Sequence, residues 1–194
     1  MTLAGVLLAA GAGRRMGGPK ALLRDGRDVP FLDRAVGVLL DGGCDTVTVV
    51  LGSGADDARV LLDQAGWSQD PCVDVVLAPD WDEGMGASLR VGIGALAAAD
   101  AQAALVSLVD LPDVDESVLR RVVGTGYGPH ALVRATYDGR PGHPVLIGRE
   151  HWSGVVASAH GDHGAREYLR SHGAVSCECG DLATGRDVDR PEDL

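Results

Sequence analysis

Short continuous apolar runs alternate along this chain with stretches whose apolar positions recur every three or four residues. The runs Leu3–Ala10, Thr46–Leu51, Val73–Leu77 and Ala104–Val109 read as buried strands. A parallel strand covered on both faces need not alternate apolar with polar residues. Between them, Phe31, Leu32, Ala35, Val36, Leu39 and Leu40 share one helical face, which predicts a helix over Pro30–Leu40 stopped by Gly42-Gly43. Asp56–Ala65 reads as a second helix with Val60, Leu61 and Ala65 facing inward, and an apolar third helix runs from Ala87 to about Ala99. Glu116–Val123 is a fourth, with Asp115 as its N-cap. Ala21-Leu22-Leu23 is too short for more than an extended turn. Strand and helix in strict alternation predict a mostly parallel twisted sheet with helices on both faces.

The rhythm changes after Val123. Ala131–Tyr137 and Pro144–Ile147 read as two strands joined through Asp138–His143, a hairpin or antiparallel addition to the sheet. Trp152–Ala159 and Gly164–Arg170 read as short helices, Ala174–Cys179 as a last strand, and Asp187–Leu194 closes the chain. With no repeat and no low-complexity linker, a single α/β domain over 1–194 is expected.

Composition narrows the function classes. A net charge of −11 argues against a nucleic-acid surface, which would carry a basic stripe. The first strand follows the N-terminus directly, without the basic segment and cleavage site of a leader, and no apolar run approaches membrane-spanning length. A cytoplasmic protein that neither enters a membrane nor binds nucleic acid is expected. Cys44 and Cys72 lie far apart, and Cys177-x-Cys179 lacks the second pair that a zinc site requires, so all four are expected to be reduced and structural.

Against this acidic background the stretch Leu7–Lys20, reading Leu-Leu-Ala-Ala-Gly-Ala-Gly-Arg-Arg-Met-Gly-Gly-Pro-Lys, is a local exception. Its glycines let successive backbone N–H groups turn toward one point, a nest for phosphate oxygens, and Arg14, Arg15 and Lys20 add positive charge. Lys20 is the only lysine in the chain. Neither common glycine motif fits. Pro19 and Ala21 flank the lysine where a Walker loop needs Gly and Ser/Thr, and Met16 occupies the third glycine of a dinucleotide fingerprint. Asp110 follows the fourth strand, at the sheet edge where ligands gather, and suits Mg²⁺, which takes one or two carboxylates together with phosphate oxygens. Asp187 and Asp189 alternate in an extended segment, so one is expected to face the site while the other caps the closing turn. Ser88 stands at the start of a helix after a second glycine turn, and His143 lies between Gly142 and Pro144, where it would contact substrate. His160-Gly-Asp162-His163 reads as a turn, and no Ser or Cys nucleophile stands at hydrolase spacing.

Together with Gly-Met-Gly-Ala-Ser-Leu, Asp-Leu-Pro, Arg-Pro-Gly-His-Pro-Val-Leu, Gly-Asp-His-Gly-Ala-Arg and Asp-Val-Asp-Arg-Pro-Glu-Asp-Leu, the glycine loop resembles the MobA-like NTP transferase family across nearly the whole chain. The nearest branch is the molybdenum cofactor cytidylyltransferases. The resemblance implies a glycosyltransferase-A-like nucleotidyltransferase fold. It implies nucleotide contacts from Leu8, Ala9, Ala10, Gly11, Ala12, Gly13, Arg14, Met16, Gly17 and Ser88, and catalytic roles for Arg15, Lys20 and Asp110. Mg²⁺ would be held on Asp110 and Asp187. The partners implied are CTP or GTP, a phosphorylated acceptor such as molybdopterin, and a molybdoenzyme. Two positions depart from the family pattern, Val109 in place of Gly before the metal aspartate and Arg190 in place of Thr in the closing motif. Because some family relatives carry a reductase role of the nicotine-blue type, an NAD(P)H-dependent reductase is the alternative activity, followed by a non-catalytic nucleotide-binding maturation protein.

Overall fold

The computed structural model describes residues 2–193. Seven strands form one sheet in the order β3-β2-β1-β4-β6-β5-β7. They are β1 (Thr2–Ala9), β2 (Thr46–Leu51), β3 (Val73–Leu77), β4 (Ala101–Leu108), β5 (Leu132–Tyr137), β6 (Arg140–Gly148) and β7 (Val175–Glu178). The neighbours of β1 are parallel to it, with Gly5 opposite both Val47 of β2 and Leu105 of β4. Only β6 runs antiparallel, against β4 on one side and β5 on the other, while β7 returns parallel to β5.

Six α-helices cover the sheet: α1 (Phe31–Asp41), α2 (Ala55–Gln64), α3 (Met85–Ala95), α4 (Glu116–Thr125), α5 (Trp152–Ser158) and α6 (Arg166–Ser171). The alternation of β1 divides the core. Leu3, Leu7 and Ala9 pack on one side with Leu32, Val36 and Leu119 of α1 and α4, and Ala4, Val6 and Leu8 pack on the other with Leu89, Ile93 and Leu169 of α3 and α6. Each fully buried leucine, such as Leu7, Leu105 or Leu146, gains about 1.5–3 kcal/mol from leaving water. Helix α3 lies close on the sheet because Gly92 has no side chain; a Cβ there would stand 2.6 Å from Val6 Cγ1.

Several boundaries differ from the expectations. Lys20–Leu22 forms a 3₁₀ turn rather than an extended one. Helix α2 buries Ala58 and Leu62 and leaves Val60 exposed, so its inward face is rotated from the predicted one. Strand β6 begins at Arg140, and the connection to β5 is only Asp138-Gly139, both at positive φ (51° and 74°), as a two-residue hairpin turn requires. Strand β4 starts at Ala101, three residues before the predicted start, and α6 starts at Arg166, two after it. The four cysteines are free thiols. Among the described residues, no helix is long and apolar enough to cross a membrane.

Candidate active site

The carboxyl ends of β1 and β4 open into a cleft of about 400 Å³. Its floor comes from Leu8 and Leu108 and its rim from the glycine loop, with the start of α3 opposite. Two backbone bonds shape the loop, Met16 N–H to the Gly13 carbonyl at 2.8 Å and Lys20 N–H to that of Gly11 at 3.4 Å. Gly13 holds φ +53°, and a Cβ on it would lie 2.0 Å from the Gly18 carbonyl oxygen. Any side chain there would force the loop open. Gly13→Ala is therefore expected to weaken nucleoside triphosphate binding by about tenfold or more, while the melting temperature stays near that of the wild type. Calorimetric titration beside a thermal melt would check both.

Asp110, directly beyond β4, is buried, and its carbonyl accepts from Val188 N–H at 3.0 Å, which ties the C-terminal segment across the cleft. This bond brings three carboxylates together. Asp110, Asp187 and Asp189 each place an oxygen within 4.8 Å of the others. Lys20 Nζ sits among them, 2.5 Å from Asp110 Oδ2 and 2.6 Å from Asp189 Oδ1, and Arg15 reaches Asp189 Oδ2 from the solvent side at 3.0 Å. The expected division of labour between Asp187 and Asp189 does not hold. Both join the cluster, and the closing turn is capped by Asp193, which accepts from the N–H groups of Asp189 and Arg190.

The electrostatics follow from this packing. Burial lifts the Asp110 carboxyl above its ordinary range, opposed by Lys20 and reinforced by Asp187. Burial pulls the Lys20 ammonium down, yet Asp110 and Asp189 together leave it raised. Asp189 is lowered by its hydrogen bond from Lys20. Both raised values follow from the same packing: Asp110 is cut off from water beside Asp187, and Lys20 gains two carboxylate partners. An all-oxygen donor set already drawn around one cation suits a hard divalent ion.

Of the residues singled out in the sequence, Leu8, Ala10, Gly11, Ala12, Gly13, Arg14, Lys20, Ser88, Asp110 and Asp187 line the cleft. Ala9 instead points into the core beneath β1, and Met16 packs partly buried against the same core. Arg15 and Gly17 lie outside the lining, although Arg15 touches the cluster through Asp189. His143 lines a neighbouring cavity rather than the cleft. Trp81, Asp82 and Asp162 also line the cleft, beyond the residues that the sequence singles out. Trp81 and Asp82 sit in the acidic loop before α3, but nothing in their spacing marks them.

The fold, with the family match that follows, defines a nucleotidyltransferase of the α/β class. The chain belongs to the MobA-like NTP transferase family, whose domain matches residues 5–175. A nicotine blue oxidoreductase from Paenarthrobacter nicotinovorans is 36% identical over 202 aligned residues, covering 98% of this chain and 93% of that protein. A probable molybdenum cofactor guanylyltransferase from Mycolicibacterium paratuberculosis is 32% identical over 147 residues, 72% of this chain and 66% of that one. The crystal structure of Rv0371c from Mycobacterium tuberculosis H37Rv superposes with a TM-score of 0.80 at 29% identity, covering 100% of this chain and 95% of that one. The same protein is also known as a complex with manganese, at a TM-score of 0.73 and 28% identity over 97% of this chain and 94% of that one.

Proposed function

We propose that the protein is a Mg²⁺-dependent nucleotidyltransferase that moves a nucleoside monophosphate, CMP in preference to GMP, from a triphosphate to the terminal phosphate of molybdopterin. The observation that carries this reading is the Asp110–Asp187–Asp189 cluster, held around Lys20 beside the glycine loop. In the reaction an acceptor phosphate oxygen attacks the α-phosphorus. The bond from that phosphorus to the bridging oxygen breaks, and pyrophosphate leaves with the electron pair. The attacking phosphate is already ionised at neutral pH, so no general base is required. Backbone N–H groups of Ala12–Gly17 cradle the β- and γ-phosphates, and Lys20 and Arg15 turn from Asp189 to the triphosphate. Asp110, Asp187 and Asp189 would hold Mg²⁺, which would supply positive charge against the crowded phosphate oxygens. Positioning and charge neutralisation carry the rate. Ser88, buried at the start of α3, faces the base or ribose. In the cytoplasm, the implied recipient of the product is a molybdoenzyme awaiting its cofactor.

The 36% identity to nicotine blue oxidoreductase over nearly the whole chain favours a second reading, NAD(P)H-dependent reduction. Against it stands the end of β2, where a dinucleotide site places a ribose-binding acid. Here the position is Gly52, and even a Cβ would lie 2.6 Å from Trp81 Cγ. The deciding assay measures pyrophosphate release from CTP and GTP with Mg²⁺ and molybdopterin, beside NADH oxidation by a quinone-like dye without metal. Release with CTP ahead of GTP is expected. Dye-dependent NADH turnover with no pyrophosphate would overturn the transferase reading.

A further inference from the structure

Two motifs that meet on the same side of the sheet reach the nucleotide cleft only through Asp162. Arg140-Pro141-Gly142-His143-Pro144 opens β6, and Gly161-Asp162-His163-Gly164-Ala165-Arg166 leads into α6. His143 and Arg166 line one cavity of about 70 Å³ together with Arg134 of β5. At one end this cavity shares Leu8, Met85 and Asp162 with the nucleotide cleft. At the other it shares Arg134, Arg166 and Leu169 with an open recess of about 550 Å³ bordered by Arg170 and Ser176. The three spaces adjoin in a row from the carboxylate cluster toward β7.

Positive charge gathers along this row. On a chain of net charge −11, Arg134, Arg166 and Arg170 all border the recess, and among the described residues none of them forms an ion pair. Arg134 donates from Nε to the Gly142 carbonyl at 3.2 Å, which fixes the guanidinium and leaves its terminal nitrogens without a protein acceptor. Burial and, after it, the charge of Arg166 pull Arg134 below its ordinary value, as expected where two guanidinium groups border one space. Burial and Arg134 hold His143 down at about 4, so at neutral pH it offers a neutral ring nitrogen rather than a charge. Asp162 borders the same cavity but pairs with neither arginine. Two guanidinium groups bordering one recess supply the charge and the planar donors that an oxyanion requires.

We propose that Arg134 and Arg166 form an anion subsite, separate from the triphosphate loop, that holds an oxyanion of the second substrate. Assigning the ligand to the acceptor rests on the transferase reading, whereas the anion site itself does not. The groove orders the two substrates: nucleotide over the glycine loop, and acceptor extended from the carboxylate cluster to the arginines.

The test uses inorganic phosphate as probe, followed through the arginine Nε–Hε resonances of the full chain. Saturable shifts of Arg134 and Arg166 are expected. Read on Arg134, the apparent Kd should rise about tenfold in Arg166→Gln and stay unchanged in Lys20→Ala. Arg134→Lys, read on the Arg166 resonance, keeps the charge but not the fork and should fall between. Arg166 is exposed, so its replacement leaves the core untouched. Shifts that grow linearly without saturating, an adventitious ion only, or equal binding in Arg166→Gln would overturn the subsite. In turnover, Arg166→Gln should raise the acceptor KM about tenfold and leave the nucleotide KM unchanged; a change in the nucleotide KM alone would overturn the assignment to the acceptor. A wild type that saturates with phosphate yet releases no pyrophosphate would end the transferase reading while the anion site stands.

Discussion

Asp110→Asn should lower nucleotidyl transfer by about 10³-fold while the protein stays folded. Asparagine keeps the shape of the side chain and loses its charge. One preorganised charge contact at a reacting phosphate is worth about 10²–10³ in rate, and a carboxylate that also holds the divalent ion belongs at the upper end. The fold tolerates the change because Lys20 keeps its second partner, Asp189 at 2.6 Å. The pH dependence of stability supplies a separate check. Asp110 titrates above its ordinary range in the folded chain, so that state binds more protons than the unfolded one just above that range. Stability from this group therefore falls as pH rises through that interval, and the Asn variant should lack the slope. Pyrophosphate release with CTP and Mg²⁺, together with melts across pH, would test both. Full turnover in a folded variant would move the metal away from Asp110, to Asp187 and Asp189 or to the Asp80–Glu83 loop.

The half of the sheet around β1 is legible in the sequence because parallel strands buried on both faces leave continuous apolar runs such as Val47, Val49 and Val50. The hairpin is only half legible. Asp138-Gly139 carries a turn signal, but Arg140-Pro141-Gly142 looks unlike a strand, so the turn reads as longer than it is. In the structure Pro141 pairs opposite Thr136, just past the register shift between Arg134 and Thr136, where the ladder is already irregular. Asp189 misleads for a different reason. The rule that alternate side chains oppose one another holds for strands, and the segment from Asp187 to Asp189 is extended but belongs to no strand. The tether from Val188 to the Asp110 carbonyl sets its twist, and that bond joins residues far apart in the sequence. Asp162 enters the cleft because Gly84 and Gly161 let two loops touch; a Cβ on Gly84 would lie 2.6 Å from the Gly161 carbonyl carbon. No local pattern encodes such a meeting.

Lys20→Ala should separate the ion pairs that this residue makes from the triphosphate contact proposed for it. Without nucleotide the ammonium neutralises Asp110 and Asp189, with side-chain exposures of 16% for Lys20, 10% for Asp110 and 38% for Asp189. Removing it strands the buried Asp110 charge, and stability should fall by about 1–3 kcal/mol, less than for a fully enclosed pair because Asp189 still reaches water. Millimolar Mg²⁺ should return most of that loss, since a divalent ion can take the place of the ammonium among three carboxylates. The melting temperature of Lys20→Ala should therefore rise with Mg²⁺ more than that of the wild type. Triphosphate affinity should drop by about 30- to 100-fold and not recover with the metal, because Mg²⁺ on the carboxylates does not replace the hydrogen bonds that the ammonium donates to phosphate. Lys20→Arg should recover stability and only part of the affinity, its guanidinium being larger and planar where the ammonium is compact. Melts and calorimetric titrations of the three proteins, each with and without Mg²⁺, give the answer. If Lys20→Ala loses stability yet binds CTP as tightly as the wild type, the lysine serves only to hold the carboxylates apart, and the charge that meets the triphosphate must come from Arg14 and Arg15.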